Sequence, residues 1–112
     1  MLLVAGHARD HGPSTEWDIH VHEARGAGLE EEVIAALERG EPPAPWFPPA
    51  TAARDAAIYA FAAELLKHSS VSDDRYAAAV AALGEAGVVE LTSIVGYYGY
   101  VAYTLNVFEI EP

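Results

Sequence analysis

The chain has 112 residues, 52% of them hydrophobic, and 17 acids against 6 Lys and Arg give it a formal net charge of -11. That length holds one domain with one modest core, and so negative a field argues against nucleic acid or an anionic membrane as a partner. Cysteine is absent, which excludes disulfides, thiolate zinc sites and thiol-based peroxidase or redox cycles, and fits a reducing compartment.

Alanine dominates the hydrophobic fraction, which favours closely packed helices over sheets. Residues 1–9 read as the end of a helix; the opening M-L-L-V-A-G is too short for a signal peptide and lacks a basic leading region. Residues 10–14, with Gly12-Pro13, break the chain. Ser14 or Thr15 then caps a helix running to about Ala27, and Gly28 stops it. Residues 29–39 begin with acids, which suit a helix N-terminus, and end at Gly40. Residues 41–49 carry five of the seven prolines and predict a stiff, extended connection with Trp46 and Phe47 packed down on the core, a substrate-covering lid being the alternative.

Residues 51–69 predict an amphipathic helix with Ile58, Phe61, Ala62 and Leu65 on its buried stripe. Ser72 caps the next helix, with Asp73 and Asp74 in its first turn and Tyr76, Val80 and Leu83 on its buried face. Gly87 is expected to separate it from a last helix, 88 to about 108, whose apolar arc is Leu91, Ile94, Val95, Tyr98, Ala102 and Leu105. Gly96 and Gly99 imply close approach of a neighbouring helix there. Residues 91–108 carry no charge and approach the length of a membrane span. Thr92, Ser93, Thr104 and Asn106, with four tyrosines placed mid-segment, point instead to a buried helix of a soluble protein. The expectation is one all-helical domain of about five to six helices.

The run S-T-E-W-D-I-H-V-H-E-A-R-G-A-G-L, residues 14–29, concentrates the chemistry. As a strand it would put Asp18, His20 and His22 on one face, a plausible set for a divalent metal. As a helix it splits them: Glu16 and His20 become neighbours on one face, while Asp18 and His22 lie nearly opposite, beside Arg25. The Ser14-Thr15 cap, the scarcity of β-branched residues in E-A-R-G-A and the Gly28 stop favour the helix, so no metal site is expected. Glu16 and His20 share their side with Glu23 and Ala27, and Trp17 packs at its edge. A carboxylate beside a partly buried imidazole holds the ring in one tautomer, a suitable general acid or base. The same spacing is also that of an ordinary surface pair. Asp18, His22 and Arg25 read as a solvated face.

The run H-A-R-D-H-G-P-S-T-E-W-D-I-H-V-H-E-A-R-G-A-G-L resembles the core signature of the carboxymuconolactone decarboxylase family, within the alkylhydroperoxidase-D-like superfamily. The matching elements are Ala8-Arg9, Glu16-Trp17, His20, Ala24 and Gly28-Leu29; V-E-L-T-S-I-V-G-Y-Y and Leu105-Asn106 resemble the family's last helix. The redox members' two cysteines would fall on Pro13 and Glu16, so the resemblance is to the cysteine-free branch. It implies an all-α, alkylhydroperoxidase-D-like bundle working as a homo-oligomer, commonly a trimer or hexamer; the lack of cysteine and of a signal peptide sets the expected location in the cytoplasm. The resemblance also implies a cofactor-free lyase that decarboxylates a small lactone carboxylic acid in aromatic-compound degradation. By the same resemblance His20 and Glu16 are catalytic, and Arg9, His11 and Trp17 bind substrate. Counted back from His20, the superfamily's relay glutamate falls on Met1, so the chain is expected to begin inside a family element, with the N-terminal part of the domain missing.

Two other readings follow from the same residues. One is a non-catalytic, oligomerising helical module that lost activity with its N-terminus. The other places a metal among His7, His11, His20 and His22, against the simpler reading of a solvated face.

Overall fold

The computed structural model describes residues 15–109, the side chains of residues 15 and 16 excepted. The described residues form four α-helices and no strand: α1 Thr15–Gly26, α2 Glu31–Arg39, α3 Ala52–His68 and α4 Asp73–Val107. The expected helix over residues 1–9 lies outside them.

Local chemistry ends the first two helices as the sequence suggests. Gly28 and Gly40 adopt left-handed backbone, φ 88° and 73°, which glycine accepts without a Cβ penalty. At each stop two amides turn back. Gly28 donates to Arg25 O at 3.1 Å and Leu29 to Ala24 O at 3.0 Å; Gly40 donates to Leu37 O at 3.2 Å and Glu41 to Ala36 O at 2.9 Å. Four otherwise orphaned carbonyls are thereby satisfied. Across the α1–α2 turn, Arg25 grips Glu31 with a two-point bond, Nε to Oε1 at 2.7 Å and Nη2 to Oε2 at 3.2 Å.

The proline-rich connection is not wholly extended. It contains one 3-10 turn, Ala44–Trp46, which the fixed φ of proline accommodates. Pro43 is its fully buried residue, whereas Trp46 remains 37% exposed, correcting the expectation that Trp46 packs down on the core. Its ring lies 5.8 Å from the Arg39 guanidinium carbon, so it covers the end of α2 through a cation–π contact.

Packing between α3 and α4 is the largest seam. Phe61 is buried with Ala79 and Val88, and Ala62 with Val95, as Leu65 and Leu91 fill in between them. Ala79 and Val88 lie on opposite sides of Gly84, where φ 75° and ψ 168° interrupt the helix. The break therefore falls three residues earlier than expected. Gly87 serves a different need, because a Cβ there would stand 2.6 Å from Leu83 Cβ. Both glycines are used, one for its dihedrals and one for its lack of bulk.

The loop between α3 and α4 is held by Glu64. One carboxylate oxygen accepts from the Ser72 amide at 2.7 Å, the other from Arg75 Nε at 3.2 Å. Ser72 in turn caps α4 by accepting from the Arg75 amide at 3.3 Å. These bonds hold the Glu64 carboxyl below its ordinary range, the Ser72 amide contributing most.

Burial along α4 differs from the expected pattern. Tyr76 and Ile94 are exposed, while Val95 and Ala102 are buried. Residues 91–108 are covered on one side only, and α4 is long and apolar enough to cross a membrane, with 17% of its most apolar stretch buried. Tyr97, Tyr100, Tyr103 and Val107 are each more than half exposed. The hydroxyls of Ser93 and Thr104 donate to Val89 O and Tyr100 O, at 2.8 and 2.9 Å. Bonds of this kind return polar groups to the helix's own backbone, leaving the free face more apolar than its composition. Gly96 and Gly99 have open space where a Cβ would stand, so among the described residues no helix approaches them.

Candidate functional site

The helical reading of residues 14–29 decides how the polar residues group. Successive residues turn by about 100° in a helix, so the H-x-H pair is divided. His20 is buried, and Asp18 and His22 are exposed. Arg25 is exposed as well, in keeping with the solvated face expected of these three residues, and its guanidinium is bonded to Glu31. Among the described residues no group of three His, Asp or Glu side chains converges as a metal set. His7 and His11, the other ligands of the metal reading, lie outside the described residues.

His20 is 5% exposed, the buried polar side chain of the described core. Its Nδ1 stands 3.1 Å from Oε2 of Glu23, one helical turn on. The edge-to-face partner of the ring is Tyr98 of α4, with centroids 5.0 Å apart and planes at 85°. Tyr97 continues the series against Tyr98, at 5.2 Å and 88°. Perpendicular rings place a positive edge against a negative face, the favoured aromatic geometry. The imidazole is thus held by its own helix through Glu23 and by the distant end of the chain through Tyr98.

Trp17, one turn before His20, is also buried. It packs on Ile34 of α2, with Val21, Ala24 and Leu37 around them. This seam fixes the rotation of α1 about its axis, and hence the direction of His20. The described surroundings of Trp17 are therefore apolar packing.

The sequence-derived site is only partly visible here. Arg9 and His11 lie outside the described residues, as does the side chain of Glu16. Within the description His20, Glu23 and Tyr98 are brought together. The spacing puts Glu23 on the same face as His20, along with Glu16. By sequence Tyr98 belongs to the apolar arc alone, because nothing local links a residue on α4 to one on α1.

Such a constellation can hold a proton. An imidazole has one donor and one acceptor nitrogen when neutral, and a carboxylate on Nδ1 directs the proton there. The half-exposed Glu23 connects the buried ring to solvent, a route by which a consumed proton can be replaced. No protein-family model, curated protein or solved structure matches this chain.

Proposed function

We propose that the chain is a cofactor-free carboxy-lyase of the carboxymuconolactone decarboxylase type, with His20 as its proton donor. The observation carrying this reading is a buried imidazole bonded to a carboxylate on a helix whose sequence resembles that family's signature. The all-helical fold is compatible with it. In the reaction, the bond from the substrate's carboxyl carbon to the ring breaks and CO2 departs. The electron pair left behind enters the conjugated lactone and is then protonated by the His20 imidazolium. Glu23 keeps the proton on Nδ1 and supports the charged ring, so Nε2 is the atom that delivers. A guanidinium fork at Arg9 suits the substrate carboxylate, and Glu16, His11 and Trp17 complete the assignment. This is general acid catalysis, for which such a residue contributes about 10²–10⁴-fold.

The working form is a cytoplasmic homo-oligomer, trimer or hexamer, in which the exposed tyrosine face of α4 is covered by another copy. Tyrosine is enriched at protein interfaces, and a contiguous apolar patch on a monomer usually marks a contact surface. The same face also favours the second reading, a helical module that assembles without catalysing.

CO2 release from γ-carboxymuconolactone separates the two. The decarboxylase reading requires turnover by the chain, or by a form extended at its N-terminus, that falls at least about 100-fold in His20→Ala. A folded, oligomeric protein with no turnover in either form would leave the scaffold reading.

A further inference from the structure

A concave site lies on the side of α3 away from the α4 seam. The groove measures about 430 Å³ and runs between the proline-rich connection, α3 and the first turn of α4. This is within the range of small-molecule pockets, toward the small end. Small side chains make the concavity. Ala56, Ala60 and Ala63 follow one stripe of α3, where side chains stopping at Cβ leave room above the helix. Phe47 supplies a ring from the connection and Tyr59 one from α3. Prolines stiffen the connection, so the wall carrying Phe47 is formed before any ligand arrives and costs little ordering on binding.

Charge is what singles the groove out. The stripe continues to Lys67, the chain's one lysine. Arg25, Arg39, Arg54 and Arg75 each stand within ion-pair distance of a carboxylate. Among the described residues Lys67 is therefore the one Lys or Arg without such a partner. Glu64, which also borders the groove, is already committed to Arg75 and the Ser72 amide. In a chain of net charge -11, an apolar groove ending at an uncompensated ammonium is selective. It repels cations; His68 and the Glu64-paired Arg75 also border it, and Lys67 is the lining Lys or Arg left without a carboxylate.

We propose that this groove binds a small aromatic monocarboxylate, its ring between Phe47, Tyr59 and the alanine stripe and its carboxylate on Lys67. The site is separate from His20 and does not rest on the lyase reading.

2-Naphthoate is the probe, titrated into the isotope-labelled protein and followed by amide chemical shifts. Saturable shifts centred on Phe47, Ala60 and Ala63 are expected. The neutral 2-naphthamide should bind about tenfold or more weakly, as should Lys67→Met, because a charge-assisted bond is lost in each. Ala60→Leu, which fills the floor, should also weaken binding, whereas His20→Ala should leave it unchanged. Equal binding of acid and amide would overturn the proposal without depending on any variant's folding. So would the absence of saturable shifts at millimolar probe, or shifts centred on His20 and Tyr98.

Discussion

Two glycines of α4 predict opposite responses to the same substitution. At Gly84 the backbone has φ 75° and ψ 168°, a region almost confined to glycine that costs other residues about 1–3 kcal/mol. A Cβ there would meet nothing within 4 Å, so no clash adds to that strain. Alanine also restricts the unfolded chain, returning about 0.4–1 kcal/mol. Gly84→Ala should therefore destabilise by about 1–2 kcal/mol net. Gly96 is helical and equally open, so there alanine should stabilise by about 1 kcal/mol, the helix-propensity difference. Urea unfolding by circular dichroism, at dilutions where the chain is monomeric, reads both on one scale. A Gly84→Ala protein as stable as its parent would refute the argument, since it would mean that the break is not imposed by glycine dihedrals.

Other perturbations test the remaining structure. Phe61→Ala should cost about 3–5 kcal/mol in the same unfolding assay, because it removes a ring buried against both limbs of α4. The Glu64 carboxyl is held below its ordinary range in the fold, so its contribution to stability is fully present above the unfolded value. It is lost as pH falls through the lower, folded value. Glu64→Gln should accordingly flatten the acid limb of a stability–pH curve, and an unchanged limb would remove Glu64 from the account. Tyr97→Glu places a charge on the exposed face of α4 and should dissociate the proposed oligomer. Light scattering would then report the 11.9 kDa mass of one chain, and an undisturbed assembly would locate the interface elsewhere.

Features set by local chemistry were legible in the sequence. Gly28 and Gly40 end helices because the left-handed stop needs only the glycine and the two amides behind it. Ser72 caps α4 for the same kind of reason. Features set by what lies across the fold were less legible. Tyr76 looked inward by period, but Ala79 sits deeper against Phe61. Trp46 reads as core within the proline-rich connection, yet its ring lies at the surface beside Arg39. Gly87 marked a break in the right region, whereas the dihedral change fell on Gly84 and Gly87 answered a steric demand from Leu83. At the candidate site, helix spacing alone put His20 and Glu23 on one face and set His22 apart. Tyr98 could come only from the packing of α4 against α1. The groove beside Lys67 was invisible for another reason, since a concavity is made by what alanine omits.

The Glu64 brace has a consequence in time as well as in structure. Every contact it makes lies within the span that joins α3 to α4, and the Phe61 cluster closes between those same two helices. Segments so close along the chain meet without the entropic delay of a long loop closure. The α3–α4 hairpin is thus suited to organise first and present a surface on which the proline-rich connection can settle. His20 reaches Tyr98 only after α1 has docked across most of the chain's length, so the proton-holding arrangement would be among the last features of the fold to form.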